Sequence, residues 1–165
     1  MNSNMYADTP TARLPVTYPI TAIVPHAGKM CLLDRPIEGD AESLSCEVTI
    51  REDGLFFSNG GVDGWVGIEY MAQTVAAWAG WRARLRGEAP RIGFLLGSRR
   101  YECSRPRFTL GQTYRIDVHR QFQADNGLGQ FDCRIQLDGQ VVASATLTVF
   151  EPTNAEEFLM GTTRE

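Results

Sequence analysis

Apolar and polar positions alternate with period two in four stretches, and each stretch predicts a half-buried strand. Leu44, Cys46, Val48 and Ile50 alternate with Ser45, Glu47 and Thr49. Tyr114, Ile116, Val118 and Phe122 alternate with Arg115, Asp117, His119 and Gln121. Phe131, Cys133, Ile135 and Leu137 form the third set, and Val141, Ala143, Ala145, Leu147 and Val149 the fourth. Asp138-Gly139 joins the last two runs and predicts a type I′ hairpin turn, because both central residues of that turn need positive φ. Asn126-Gly127 and Gly129 mark the turn before Phe131. Residues 92–103 read as a fifth, weaker strand.

Residues 64–86 behave differently. Apolar side chains fall on all sides, including Trp65, Val66, Ile68, Tyr70, Met71, Val75, Trp78 and Trp81. A helix that is apolar all round must be buried by its partners. Asp63 is the expected N-cap and Gly87 the expected stop. One long buried helix cannot be covered by a flat sheet with one dry face. A strongly curved antiparallel sheet wrapped around the helix solves the burial problem, and that α+β arrangement is the hot-dog fold. It leaves a sheet edge open, so a dimer is expected.

The flanks read as accessory. Residues 1–19, with Pro10, Pro15 and Pro19, predict an irregular arm; 20–152 form the domain; 153–165 form a polar tail. The 165 residues are 43% hydrophobic and 22% charged, within the globular range, so wholesale disorder is excluded. The net charge of −4 argues against a nucleic-acid binder. No apolar run is long enough to span a membrane. The polar N-terminus shows no secretory pattern. Cys31, Cys46, Cys103 and Cys133 show no C-x-x-C pairing, and with two histidines no metal site is expected. Free thiols and a cytoplasmic location are the expectation.

Glu69 is the first candidate for chemistry. It lies in the most apolar stretch, near the start of the helix. Burial disfavours its charged form and the helix N-terminus favours it, a balance suited to proton transfer. Gln73, four residues on, shares its face and is placed to orient it. A capping-box role would need Ser or Thr at Val66. His26 is the second candidate, in a turn after Ile20 to Val24. The other histidine, His119, falls on the polar face of a strand. Gly60-Gly61 and the Gly64-to-Gly67 spacing before the helix suit backbone N–H groups offered to a polarised carbonyl. Such turns are also ordinary connectors. Residues 82–107 hold eight arginines, Arg82, Arg84, Arg86, Arg91, Arg99, Arg100, Arg105 and Arg107, against Glu88 and Glu102. This basic patch suits an acidic or phosphorylated partner, or is a solvated surface.

Pro25-His26 followed by Met30-Cys31-Leu32-Leu33-Asp34-Arg35 resembles the opening of the 3-hydroxyacyl acyl-carrier-protein dehydratases of fatty-acid synthesis. Gly67-Ile68-Glu69-Tyr70-Met71-Ala72-Gln73 resembles the start of their central helix. A hot-dog family found with aryl-polyene pigment pathways is more similar still, through Gly64-Trp65, Glu69 to Thr74, Trp78-Ala79-Gly80-Trp81, Leu95 to Arg99, Cys103 and the Phe108 to Gly111 turn. The resemblance implies dehydration of a 3-hydroxyacyl thioester carried on the phosphopantetheine of acyl carrier protein, with no resident cofactor. It implies His26 as base and Glu69 as acid, at a subunit boundary. Gly60, Gly61, Val66, Gly67 and Gln73 would meet the substrate, and Arg82, Arg84, Arg86, Arg99 and Arg100 the carrier protein. The partner would be a second copy or another hot-dog dehydratase. The fatty-acid enzymes place their histidine in a G-H-F-P-G loop before the helix. Here Phe57 to Gly64 occupies that loop and holds no histidine. An accessory subunit paired with an active dehydratase is therefore the alternative, and an acyl thioesterase of the same fold a further one.

Overall fold

The structure, a computed structural model, describes residues 12–152. The tail 153–165 and residues 1–11 of the arm lie outside the described residues. In chain order the elements are β1 (Leu14–Pro15), β2 (Arg35–Gly39), β3 (Ser43–Thr49), β4 (Phe57–Ser58), β5 (Gly61–Asp63), α1 (Gly67–Leu85), β6 (Phe94–Cys103), β7 (Arg107–Thr109), β8 (Thr113–Gln123), β9 (Leu128–Leu137) and β10 (Gln140–Phe150). Short 3-10 turns occupy Ile20–Ala22, Gly28–Met30 and Gly64–Val66.

Seven strands form one antiparallel sheet in the order β1-β2-β3-β8-β9-β10-β6. The 19-residue helix α1 packs against β3, β8, β9, β10 and β6 of it. Leu44, Cys46, Tyr114, Ile116, Val118, Phe131, Cys133, Ile135 and Leu147 form the dry face, with Met71, Ala77, Trp78 and Trp81 set against them. Each large side chain buried here contributes about 1.5–3 kcal/mol. Trp78 meets Phe131 edge-on at 5.2 Å. The predicted hot-dog arrangement is what the burial pattern builds. Asp138 and Gly139 both take positive φ, +51° and +81°, as the I′ turn demands.

Four details differ from expectation. Leu14–Pro15 are not irregular: they pair with Gly39 and Glu38, and Pro15 is tolerated because the strand lies at the sheet edge. Phe122 and Val141 are exposed, at 55% and 50%. A β-bulge between Arg120 and Phe122 and another between Val141 and Ala143 break the alternation, so that Val142 and Ala143 are both buried. Asp63 makes no side-chain cap; its carboxylate takes Arg107 Nη1 at 2.6 Å instead. The chain turns through 3-10 geometry at Gly64–Val66 before α1 begins. Finally, β4, β5 and β7 form a small second sheet that pattern alone did not reveal. Gly87, at φ +75°, follows the end of α1 as expected.

Candidate active site

The loop carrying His26 is pressed onto α1. Ile23 and Val24 are buried in the core. Gly80 lets the Ile23 backbone lie against the helix, where any Cβ would collide with the Ile23 carbonyl. Arg84 Nε donates to Ala22 O at 2.9 Å and ties the same turn to the next helical turn. These contacts place His26 over the first turn of α1, which carries Glu69. His26 Nε2 lies 3.9 Å from Glu69 Oε1, and both side chains are partly exposed, 27% and 38%.

Gln73 locks this pair in place. It is fully buried and uses both ends of its amide. Its Oε1 accepts from Leu32 N–H at 2.9 Å. Its Nε2 donates to Met30 O at 2.8 Å and to Glu69 Oε1 at 3.1 Å. One side chain thus joins the loop after His26 to the helix bearing Glu69. Because Oε1 accepts from Gln73, a proton carried by Glu69 belongs on Oε2.

Both side chains line a cavity of about 370 Å³ whose wall is mainly apolar. Its floor is the stripe Glu69, Ala72, Ala76 and Ala79, spaced three and four residues apart on one face of α1. Its far wall includes Phe94, Leu95, Phe131 and Val149. A low-dielectric wall strengthens each electrostatic interaction inside. The tyrosines and cysteines of the core do not line this cavity. Burial, then the neighbouring Tyr114, pushes the Tyr70 phenol up, and burial likewise raises Tyr101. Burial also raises the thiols of Cys31, Cys46 and Cys133, which disfavours a thiolate nucleophile. His119 is exposed on β8. Among the described residues no cluster of His, Cys, Asp and Glu suits a metal ion.

The structure does not bring every predicted residue here. Gly60, Gly61, Val66 and Gly67 do not line this cavity. Gly60 and Gly61 form the β4–β5 turn, with Gly61 tight against the Phe108 carbonyl. Val66 is buried in the core, and the Gly67 N–H turns back onto Gly64 O. The arginines are dispersed, except that Arg82, Arg86 and Arg91 border one pocket at the end of α1. Arg107 is held by Asp63, and Arg84 by Ala22. Arg86 and Arg91 pair with Glu88 at 3.4 and 3.6 Å. Arg99 and Arg100 stand exposed on β6, away from the helix end that carries Arg82. The sequence reading missed the alanine floor, although its helical spacing from Glu69 was visible. It also missed Arg120, whose approach to Trp78 depends on tertiary packing.

A family model described as ApeP-like, ApeP dehydratase, matches residues 18–160. The dehydratase heterocomplex ApeI:P from Xenorhabdus doucetiae contains a similar chain, at 32% identity over 90% of this chain and 99% of that one, with a TM-score of 0.83. The PaaI protein from the phenylacetic acid degradation operon of E. coli is similar in fold alone: 13% identity, 70% and 77% coverage, TM-score 0.54. So is a hypothetical thioesterase with coenzyme A from Streptococcus pneumoniae TIGR4: 17% identity, 67% and 78% coverage, TM-score 0.50. No curated protein matches the chain.

Proposed function

The chain belongs to the ApeP-like dehydratase family, and from that premise we propose that it removes water from a 3-hydroxyacyl thioester carried on acyl carrier protein. The observation that carries the proposal is the 3.9 Å approach of His26 Nε2 to Glu69 Oε1 in one apolar cavity. His26 Nε2 takes the C2 proton. The C2–H electron pair forms the C2=C3 double bond as the C3–O bond breaks. Glu69 delivers its proton to the departing hydroxyl, which leaves as water. The imidazolium and the carboxylate then face each other, and the proton returns from His26 to Glu69. Gln73 holds Glu69 in register through the cycle.

The partner in this proposal is a second hot-dog dehydratase subunit. Among the described residues strand β6 is paired on one edge only, with β10, and it shows exposed Leu95 and Leu96. A ten-residue edge that begins with the apolar run Phe94 to Leu96 calls for a covering strand. The similar chain from Xenorhabdus doucetiae belongs to a heterocomplex. The exposed Arg99 and Arg100 lie on the same strand and suit the acidic carrier protein.

A second reading, an accessory subunit without turnover of its own, draws on one observation. His26 Nδ1 is buried with no hydrogen-bond partner among the described residues. No acceptor there holds the imidazole in the tautomer that leaves Nε2 free to act as a base. Both readings are tested by offering a 3-hydroxyacyl carrier-protein thioester to this chain, alone and co-purified with the second subunit, and following loss of water by mass spectrometry. Turnover abolished by Glu69→Gln in this chain supports catalysis here. Wild-type turnover by a complex carrying that variant assigns catalysis to the other subunit. Release of free acid instead of alkene signals a thioesterase.

A further inference from the structure

Edge strand β6 reaches the start of α1 through one tyrosine. In its pairing with β10, Arg99 lies opposite Thr146 and Glu102 opposite Ser144, so Arg100 and Tyr101 together face the single residue Ala145. Such a bulge bends the strand and re-aims a side chain. Arg100 takes φ +55° to make it. Asn59 and Asp138, the other described non-glycine residues at positive φ, sit in hairpin turns, and Arg100 alone lies inside a strand. A long side chain is disfavoured in that region, so surrounding contacts must hold the backbone there. Those contacts belong to Tyr101. Residues 95–100 are exposed, whereas Tyr101 is half-buried. Its Oη donates to Gly64 O, in the 3-10 turn that leads into α1. Burial, then Cys103, raises the phenol, which leaves its hydrogen in place as the donor.

This turn needs an outside hold. The first turn of a helix leaves backbone groups unpaired, and a side-chain cap usually restrains it. Neither Asp63 nor Val66 caps here with its side chain. The segment from Tyr101 to Pro106 restrains the turn instead. Gly64 N–H donates to Pro106 O at 2.9 Å, and Gly64 O accepts from Tyr101 Oη and from Gly67 N–H. The same segment explains both glycines. A Cβ on Gly64 would lie 2.9 Å from Arg105 O, and one on Gly67 would collide with Tyr101 Oη and come within 3.1 Å of Ile135 and Phe108. Glu69 follows two residues after Gly67, in the first helical turn. Gln73 restrains its carboxylate but not the backbone beneath it. Strand β6 also supplies Phe94 and Leu95 to the far wall of the cavity whose floor begins at Glu69.

We infer that Tyr101 is a positioning residue for Glu69. By tying edge strand β6 to the uncapped start of α1, it fixes the acid on the cavity floor relative to the wall opposite. Tyr101 does not line the cavity, so it acts through the turn. The inference rests on the dehydratase reading above, in which Glu69 is the acid and a partner subunit covers β6.

The test compares two phenols. Tyr101→Phe removes the hydroxyl and keeps the ring. Tyr114→Phe is the contrast: the Tyr114 phenol is fully buried, accepts from Thr109 N–H and donates to Gln112 Oε1, away from the turn. Both variants are assayed with the partner subunit present, well below their melting midpoints, and only turnover that Glu69→Gln abolishes is counted. Tyr101→Phe is expected to lower kcat about tenfold with KM changed less than about twofold, the mark of a misplaced catalytic group rather than of lost binding. Tyr114→Phe is expected to leave both unchanged. A second pair of readouts needs no turnover. Amide hydrogen exchange over residues 64–71 is expected to rise about tenfold in Tyr101→Phe alone. The His26 ring resonance, told from that of His119 by His119→Asn, is expected to move in Tyr101→Phe alone. A role limited to stability would lower the midpoint and leave kcat and the His26 resonance in place. Unchanged kcat in Tyr101→Phe, or equal effects of the two variants, would overturn the inference. A wild-type protein that releases no water refutes the dehydratase reading, and the His26 resonance then still decides whether Tyr101 holds the turn bearing Glu69. Dehydration at full rate in Tyr101→Phe with an unmoved His26 resonance refutes the role of Tyr101 alone.

Discussion

His26 Nε2 stands 3.9 Å from Glu69 Oε1 within a single chain, although one side chain comes from a loop and the other from the helix. The sequence comparison with fatty-acid dehydratases placed a histidine in a different loop, the one that here runs from Phe57 to Gly64. The geometry shows that the N-terminal loop reaches the helical carboxylate directly. In the proposed cycle the proton returns from His26 to Glu69 once the pair closes to hydrogen-bond distance or through one water, since 3.9 Å is beyond direct reach.

Replacement of Glu69 by Gln keeps the shape and the bond from Gln73 but removes the transferable proton. Turnover of a 3-hydroxyacyl thioester is expected to fall by about 10²–10⁴-fold, the usual worth of a positioned acid or base. The thermal midpoint should stay near that of the wild-type protein, because the side chain is partly exposed. Initial rates beside a melting curve check both halves; an unchanged rate removes Glu69 from the mechanism.

Gln73→Leu strips partners from Leu32 N–H and Met30 O as well as from Glu69. Each buried polar group left unpaired costs about 1–3 kcal/mol. A fall in the denaturation midpoint is expected together with a fall in kcat, since the loop and the carboxylate lose their common tether. Gln73→Glu keeps the acceptor for Leu32 and loses the donor to Glu69. It should therefore shift the pH profile of kcat, which a purely structural role would leave in place.

At Gly80 the helix has no room for a methyl group. Gly80→Ala forces Ile23 and the His26 loop outward, and overpacking of this kind costs about 1–3 kcal/mol. Gly97→Ala, on β6, meets nothing within 4 Å and serves as the contrast. The expected result is a lower midpoint and reduced turnover for the first variant and neither for the second. Equal behaviour of the two would show that the loop does not depend on this approach.

Glu38 accepts from Arg115 Nη2 at 2.9 Å and from Arg13 Nε at 3.1 Å. These bonds, that of Arg115 foremost, hold its carboxyl below the usual carboxylate value. A carboxyl depressed in the folded state adds stability above its unfolded pKa and loses it as pH falls through the folded value. Wild-type protein is therefore expected to exceed Glu38→Gln in stability at neutral pH by a small margin, as the pair is partly exposed. That margin should close below the ordinary carboxylate range. Urea unfolding across that range measures it, and a gap independent of pH would remove the ion pairs as its cause.

Much of this fold was legible because burial leaves a period in the chain. Residues of β3, β8, β9 and β10 alternate, and the apolar run of α1 has no polar side to turn outward. Phe122 and Val141 misled because a bulge adds a residue on one strand, and nothing in the local pattern announces it. Strands β1, β2 and β7 are short or interrupted by proline, so their pairing exists only through partners distant in sequence. Glu69 and Gln73 were legible as a pair four residues apart on one helix, and His26 as one of two histidines.

The chain alone determined the long buried helix, the alternating strands and the polar residues stranded among apolar ones, since each follows from side chains within a few positions. The tertiary structure decided where His26 points and that the alanine face of α1 lines a groove. Those facts depend on distances between elements, set by how Gly80 admits Ile23 and how the sheet curves around α1. No local run of residues encodes such distances, because packing of the whole core selects them.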